Sequence, residues 1–271
     1  MNILDQIIDY KRKEVTDAKS LYPVKFLEQS IFFASPTVSL KKYVQREDKT
    51  GIIAEFKRKS PSKGMINAYA SVERTTIGYM QAGASALSVL TDKHFFGGSN
   101  EDLKLVRKFN FCPVLRKDFT IDEYQIIEAK SIGADAILLI AAVLDPERLK
   151  ELTRFAHSLQ LEVLLEVHDE DELKKNRETG ADLVGVNNRN LKTFEVSIET
   201  SKRLADLIPD DVVAVSESGI TSPETILELR KFGYEGFLVG ENFMKHSRPE
   251  EEAKIFMDEL RKAESREHKA R

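Results

Sequence analysis

From residue 51 onward, apolar and polar positions follow a repeating order in which short apolar runs alternate with longer amphipathic segments. The runs are Ile52–Phe56, Ala86–Leu90, Pro113–Leu115, Ala136–Ile140, Leu161–Leu165, Leu183–Val186, Val212–Val215 and Gly236–Val239. Gly83, Gly133, Gly180 and Gly233 recur at near-even intervals. Each closes a helical pattern just before an apolar run, the place for a left-handed C-cap feeding a short loop. Each interval has room for two strand–helix units. Short apolar strands alternating with amphipathic helices imply a parallel sheet covered by helices. Eight such units predict an α/β fold, a closed (β/α)8 TIM barrel rather than an open doubly wound sheet. No G-x-G-x-x-G follows the first strand, which argues against a dinucleotide fold.

The first fifty residues follow another pattern. Residues 2–19 predict an amphipathic helix with Ile3, Leu4, Ile7, Ile8 and Val15 on one side. Tyr22-Pro23 and Ser35-Pro36 mark a less regular segment, and the charged run 45–50 leads into the first strand. This stretch has too few apolar residues for a core of its own. It therefore predicts an N-terminal helical extension, residues 1–50, packed on a barrel of residues 51–260. Pro249–Leu260 predicts the closing helix. Residues 261–271 mix Lys, Arg and Glu without an apolar period and predict a solvated tail.

Composition narrows the class. The chain has 271 residues, 41% hydrophobic, enough for a large core. A net charge of −4 gives no global basic field, so nucleic acid is not an expected partner. A single cysteine, Cys112, rules out an intrachain disulfide and reads as a small apolar filler. Asp5, Asp9 and Lys11 argue against a signal peptide. The longest apolar run, Ala136–Leu144, is too short to cross a bilayer. A cytoplasmic globular protein without membrane attachment is expected.

Barrel enzymes build their chemistry where strands end. The first strand ends in Glu55 and Lys57, which share a face because strand side chains alternate. Taken alone, this pair reads equally well as an ion pair at a sheet edge. Arg58–Gly64 follows as a basic turn. The other strand ends supply Thr91-Asp92 with the loop Phe95–Ser99, then Arg116-Lys117-Asp118, Glu166-Val167-His168, Asn187–Asn190, Ser216–Gly219 and Gly240-Glu241-Asn242. Only the fourth strand adds nothing charged. Two lysines, three glutamates and an asparagine thus converge on one mouth. Lys57 and Lys117 would lower each other's pKa, while Glu55, Glu166 and Glu217 would oppose that shift; the residues leave the outcome open. Ser218-Gly219 and Gly240-Glu241 follow the seventh and eighth strands, where barrels hold phosphate on backbone N–H groups, and residues 241–245 suit a short helix there. The bland alternative is that these glycines only permit tight turns, and Glu241 would have to turn its side chain away from a phosphate. The five histidines lack metal-ligand spacing, and no G-x-S-x-G or P-loop occurs.

Taken together, the segments IAEFKRKSPSKG (53–64), LTDKHFFGGS (90–99), PVLRKDFTIDEY (113–124), LEVH (165–168), GVNNRNL (185–191), SESGI (216–220) and FLVGENFM (237–244) closely resemble the indole-3-glycerol phosphate synthase family of tryptophan biosynthesis. The resemblance spans the whole barrel, and the N-terminal extension is similar too. It implies ring closure of a carboxyphenylamino-deoxyribulose phosphate with loss of carbon dioxide and water, a small phosphorylated substrate and no organic cofactor or metal. A monomer or weak homodimer is the expected assembly. By the same resemblance Lys117 is the general acid, Lys57 holds the anthranilate carboxylate, and Glu166 moves a proton within a network of Glu55 and Glu217. Asn187 meets a substrate hydroxyl and Arg189 braces the mouth. Ser60, Ser218, Gly219, Gly240 and the Glu241 backbone bind phosphate, with Leu238 and Phe96 packing on the substrate. Asn190 stands where aspartate is more usual, and Glu241 where serine often occurs. The neighbouring phosphoribosylanthranilate isomerase would want a cysteine after the first strand and an aspartate after the sixth. A catalytically dead phosphate-binding barrel would not need Lys57, Lys117 and Glu166 together.

Overall fold

The computed structural model describes residues 3–191 and 193–270, with side chains as far as residue 267. The first two positions of the first predicted stretch, the His268 ring and Arg271 lie outside the described residues.

The eight apolar runs form β1 (Ile52–Phe56), β2 (Ala86–Leu90), β3 (Val114–Lys117), β4 (Ala136–Ile140), β5 (Glu162–Val167), β6 (Leu183–Asn187), β7 (Val213–Glu217) and β8 (Gly236–Val239). Neighbours pair in parallel, and the sheet closes where β1 meets β8 through Ile52 opposite Phe237. The fold is a (β/α)8 barrel with helices at its N-terminus. The four recurring glycines all have positive φ, as a left-handed cap requires.

The strands read as continuous apolar runs because both faces are buried. One face fills the barrel with Ile53, Leu115, Leu138, Leu164, Leu183, Val213 and Leu238. The other packs beneath the helices, as do Val89, Ile137, Val163 and Val186. Parallel register then fixes which polar residues share a level. Lys117 stands beside Leu90, Glu166 beside Ile140, and Asn187 beside Glu217.

The N-terminal residues reach both ends of the barrel. The helix Ile3–Leu21 lies over the strand C-termini, where Ile3, Leu4 and Ile7 line a cavity. The short helix Leu40–Val44 buries Leu40 and Val44 in the interior core, with Val44 against Gly236 at the start of β8. Glu162 interrupts the apolar run of β5 for the same reason. Its carboxylate accepts from Ser39 Oγ at 2.5 Å and Lys41 N at 2.9 Å, anchoring the start of that short helix.

The closing helix runs from Pro249 to Ala270 without a break at residue 260, and most of the described side chains over 261–267 are exposed. Polar anchors replace the missing apolar period. Arg261 donates to the Ala82 carbonyl at 2.6 Å, and Glu264 pairs with Arg230. Strong helix formers carry the rest.

Candidate active site

All fourteen residues singled out from the sequence line one cavity of about 440 Å³ over the strand C-termini. Lys117 Nζ lies at its floor, 2.7 Å from Glu166 Oε2 and 2.9 Å from Glu217 Oε2. The lowering expected for Lys117 is not what the cavity produces. Burial works against the charge on Lys117, but Glu166, Glu217 and Glu55 outweigh it and hold the ammonium well above its usual range.

Glu166 is held in its charged form. Burial opposes ionisation, and Lys117 and His168 override it. Asn187 Nδ2 donates to Glu166 Oε1 at 3.2 Å, and His168 Nε2 stands 3.3 Å from the same oxygen, close enough for charge but off line for a hydrogen bond. The contacts of Glu166 are therefore Lys117, Asn187 and His168, and Glu55 and Glu217 act on the cluster through Lys117. Burial, more than any other influence, pushes Glu217 up to about 7, and its Oε1 has no hydrogen-bond partner. At neutral pH the floor thus holds a fixed cation, a fixed anion and a carboxyl near its midpoint. On β1, Glu55 Oε1 meets Lys57 Nζ at 2.9 Å, an ion pair aimed into the cavity and not at a sheet edge.

Two glycines make room for these carboxylates. A Cβ on Gly185 would sit 2.2 Å from Glu217 Oε1, and one on Gly240 2.6 Å from Glu55 Oε1. Neither glycine has a positive φ, so each is required for space.

The glycine-rich loops lie on one side. Ser218 adopts φ 67°, unusual for a residue with a side chain, and Gly219 follows at 78°. Buried Asn188 holds this bend by donating to Ser216 Oγ at 2.9 Å and to the Ser218 carbonyl at 3.0 Å. Backbone strain held in place this way concentrates at functional sites. The predicted short helix spans Glu241–Met244. Arg189 Nη2 reaches Glu241 Oε2 at 3.4 Å, a contact that joins the loops after β6 and β8.

The basic turn is a small hairpin in which Lys59-Ser60 pairs with Gly64-Met65. Arg58 clamps it to Asp102 at 2.6 and 3.0 Å. Ser60 is buried and faces the cavity.

Sequence reasoning missed Lys11. This helix residue is completely buried and lies 2.7 Å from Glu14, 3.0 Å from Asp92 and 2.9 Å from Asp118. Asp118 follows Lys117 directly, and Asp92 accepts the Phe95 and Phe96 amides. A lysine among charged residues on an amphipathic helix gives no sign that it is the one facing inward. His168 was visible at the end of β5, but its contact with Glu166 was not. Burial works against its charge, and Glu166 and Glu172 push it up to about 10, so it is a cation.

A buried ammonium between carboxylates, at the C-terminal mouth of a (β/α)8 barrel and beside strained glycine loops, defines an acid–base enzyme of the phosphate-binding barrel class. Residues 4–256 match the family model described as indole-3-glycerol phosphate synthase. The chain belongs to that family. A relative of that name from Bacteroides thetaiotaomicron is 48% identical over 256 residues, covering 94% of this chain and 98% of the relative. Another, from Caldanaerobacter subterraneus subsp. tengcongensis, is 44% identical over 245 residues, covering 90% and 93%. Among solved structures, a thiamine phosphate pyrophosphorylase from Pyrococcus furiosus aligns with a TM-score of 0.58 at 16% identity, covering 83% of this chain and 96% of that one. That likeness speaks for the barrel alone. No described helix is long and apolar enough to cross a membrane.

Proposed function

We propose a division of labour among these side chains for the family's reaction. This is the closure of 1-(2-carboxyphenylamino)-1-deoxyribulose 5-phosphate to indole-3-glycerol phosphate, with loss of carbon dioxide and water. The chain is a carboxy-lyase of tryptophan biosynthesis. One observation carries the assignment: a single ammonium, on Lys117, is shared between two buried carboxylates at the cavity floor.

In the first step the aromatic carbon that bears the carboxylate attacks the ketone carbon. The carbonyl π electrons pass to oxygen, and Lys117 delivers the proton that neutralises it. The raised pKa of Lys117 keeps that proton in place, and a developing alkoxide is more basic than an amine, so the transfer still runs downhill. Attack leaves an iminium in the substrate. Lys57 holds the carboxylate, and when carbon dioxide leaves, the bonding electrons return to the ring. Dehydration then needs an acid for the departing hydroxyl and a base for the proton that completes the double bond. In this reading Lys57 serves as the first and ionised Glu166 as the second. Glu217 and Glu55 keep the two ammonium groups apart and aimed. Asn187 takes a substrate hydroxyl. Ser60, Ser218, Gly219, Gly240 and the Glu241 backbone hold the phosphate, with Arg189 bracing that side and Leu238 and Phe96 against the organic part.

We take the setting to be cytoplasmic, as a monomer or weak homodimer. The test is indole fluorescence on mixing the protein with the carboxyphenylamino substrate, and silence from folded protein would sink the assignment. Lys117→Ala is expected to lower kcat by about a thousandfold, within the usual range for one acid–base group, while substrate still binds. Lost affinity with normal turnover would give Lys117 a different role.

A further inference from the structure

Glu241 sits awkwardly in a phosphate site. Its backbone starts the helix after β8, yet its side chain brings a carboxylate to the same cavity. That carboxylate does not turn away from the cations around it. Oε1 lies 3.6 Å from Lys63 Nζ, and Oε2 lies 3.4 Å from Arg189 Nη2. Each oxygen takes one cation, and the cations come from different loops, the hairpin after β1 and the loop after β6. Among the described residues, neither Lys63 nor Arg189 has another carboxylate partner. A substrate anion resting on the glycine loops would be drawn to the same two cations.

We infer that Glu241 is an internal competitor for phosphate, occupying Lys63 and Arg189 while the site is empty and surrendering them when the substrate anion arrives. The inference rests on the phosphate assignment above. It gives the carboxylate a task in place of an anomaly. A phosphate monoester carries about −1.5 to −2 charges at pH 7 and three acceptor oxygens, against one charge and two oxygens on Glu241. The exchange therefore favours substrate. Partly exposed ion pairs contribute little, and Lys63 is 56% and Glu241 34% exposed, so the swap is cheap in both directions. A buried pair would not trade places this way. The carboxylate also tethers the hairpin to the loop after β8 when no ligand is bound, and it recaptures both cations as product phosphate departs. Glu241 thus weakens anion binding in general and eases release.

The experiment uses the full chain and two probes, inorganic phosphate as a competitive inhibitor and the carboxyphenylamino substrate. Glu241→Gln keeps the shape and removes the charge. Its Ki for inorganic phosphate is expected to fall about three- to tenfold, with KM falling in the same direction. In a Lys63→Met background the same change is expected to gain clearly less, because one displaced cation is already gone. An unchanged or higher Ki in Glu241→Gln overturns the inference. So does an equal gain with and without Lys63, which would mark plain repulsion without exchange. Absence of turnover by the unmodified protein would instead undo the synthase assignment, so the two failures are separable.

Discussion

Lys11→Met is the substitution whose cost follows most directly from the geometry. Methionine keeps the apolar stem and deletes the charge that faces Asp92, Asp118 and Glu14. At about 3 Å and an effective dielectric near 20, each contact is worth roughly 5 kcal/mol before desolvation. Desolvation offsets most of this while the lysine is present. Once it is gone, Asp92 and Asp118 remain buried without it, and removing one partner of a buried pair costs about 3–5 kcal/mol. Some support survives: Asp118 keeps Thr91 Oγ1 at 2.5 Å and Arg116 at 3.5 Å, and Asp92 keeps two amides. There is also a ceiling, since undocking the Ile3–Leu21 helix rehydrates both aspartates. We therefore expect a loss of about 3 kcal/mol at pH 7, seen chiefly as faster hydrogen exchange in that helix. KM should rise, because Ile3, Leu4 and Ile7 wall the cavity. The deficit should shrink on acidification. Burial pushes Asp118 up, but Lys11 and then Arg116 bring it down to about 2 in the intact protein. Its stabilisation is present above the unfolded value near 4 and is lost as pH falls through about 2. Without Lys11, Asp118 protonates at higher pH, at little cost. Denaturant unfolding by circular dichroism and amide exchange, at pH 7 and 4.5, reads both effects. A loss below about 1 kcal/mol at pH 7, with helix amides protected as before, would refute the reasoning.

Two further outcomes follow from contacts in the cavity. Gly240→Ala places a Cβ 2.6 Å from Glu55 Oε1 and 3.0 Å from Glu55 Cβ; we expect kcat/KM to fall at least about tenfold, consistent with the sensitivity of catalysis to small misplacements, with circular dichroism unchanged, and near-normal activity would show that Glu55 moves without consequence. His168→Asn removes a cation whose folded pKa is raised, so its stabilisation is full below the unfolded value near 6.5 and fades as pH rises through about 10. The stability gap between this variant and the parent should thus be wide at pH 6 and narrow above pH 10 in urea unfolding, and a gap independent of pH would contradict it.

The barrel was legible because strands buried on both faces leave unbroken apolar runs, and left-handed caps leave glycines. The site was legible because side-chain alternation and parallel register place strand-end residues at one level, which is how Glu55, Lys117, Glu166 and Glu217 come to share a floor. What stayed hidden depends on long-range orientation. An amphipathic pattern shows the apolar stripe of the first helix, yet Lys11 is buried by partners more than eighty residues away. The ionisation of Lys117 could not be decided from residue types, since it turns on which of several charges lie within 3 Å. The closing helix outran its apolar period because Arg261 and Glu264 hold it by polar contacts.

The closure of β1 on β8 also constrains how the chain can be made. Ile52 pairs with Phe237, so a nascent chain leaving the ribosome carries its first strand with one edge open until β8 has been made. Leu40 and Val44 must likewise wait for the interior they enter, which includes Leu238. Unpaired edges and exposed apolar surface are the hazards of partly folded chains. The charge-rich segment ahead of β1 is the part best able to keep that open edge soluble until β8 arrives to close it.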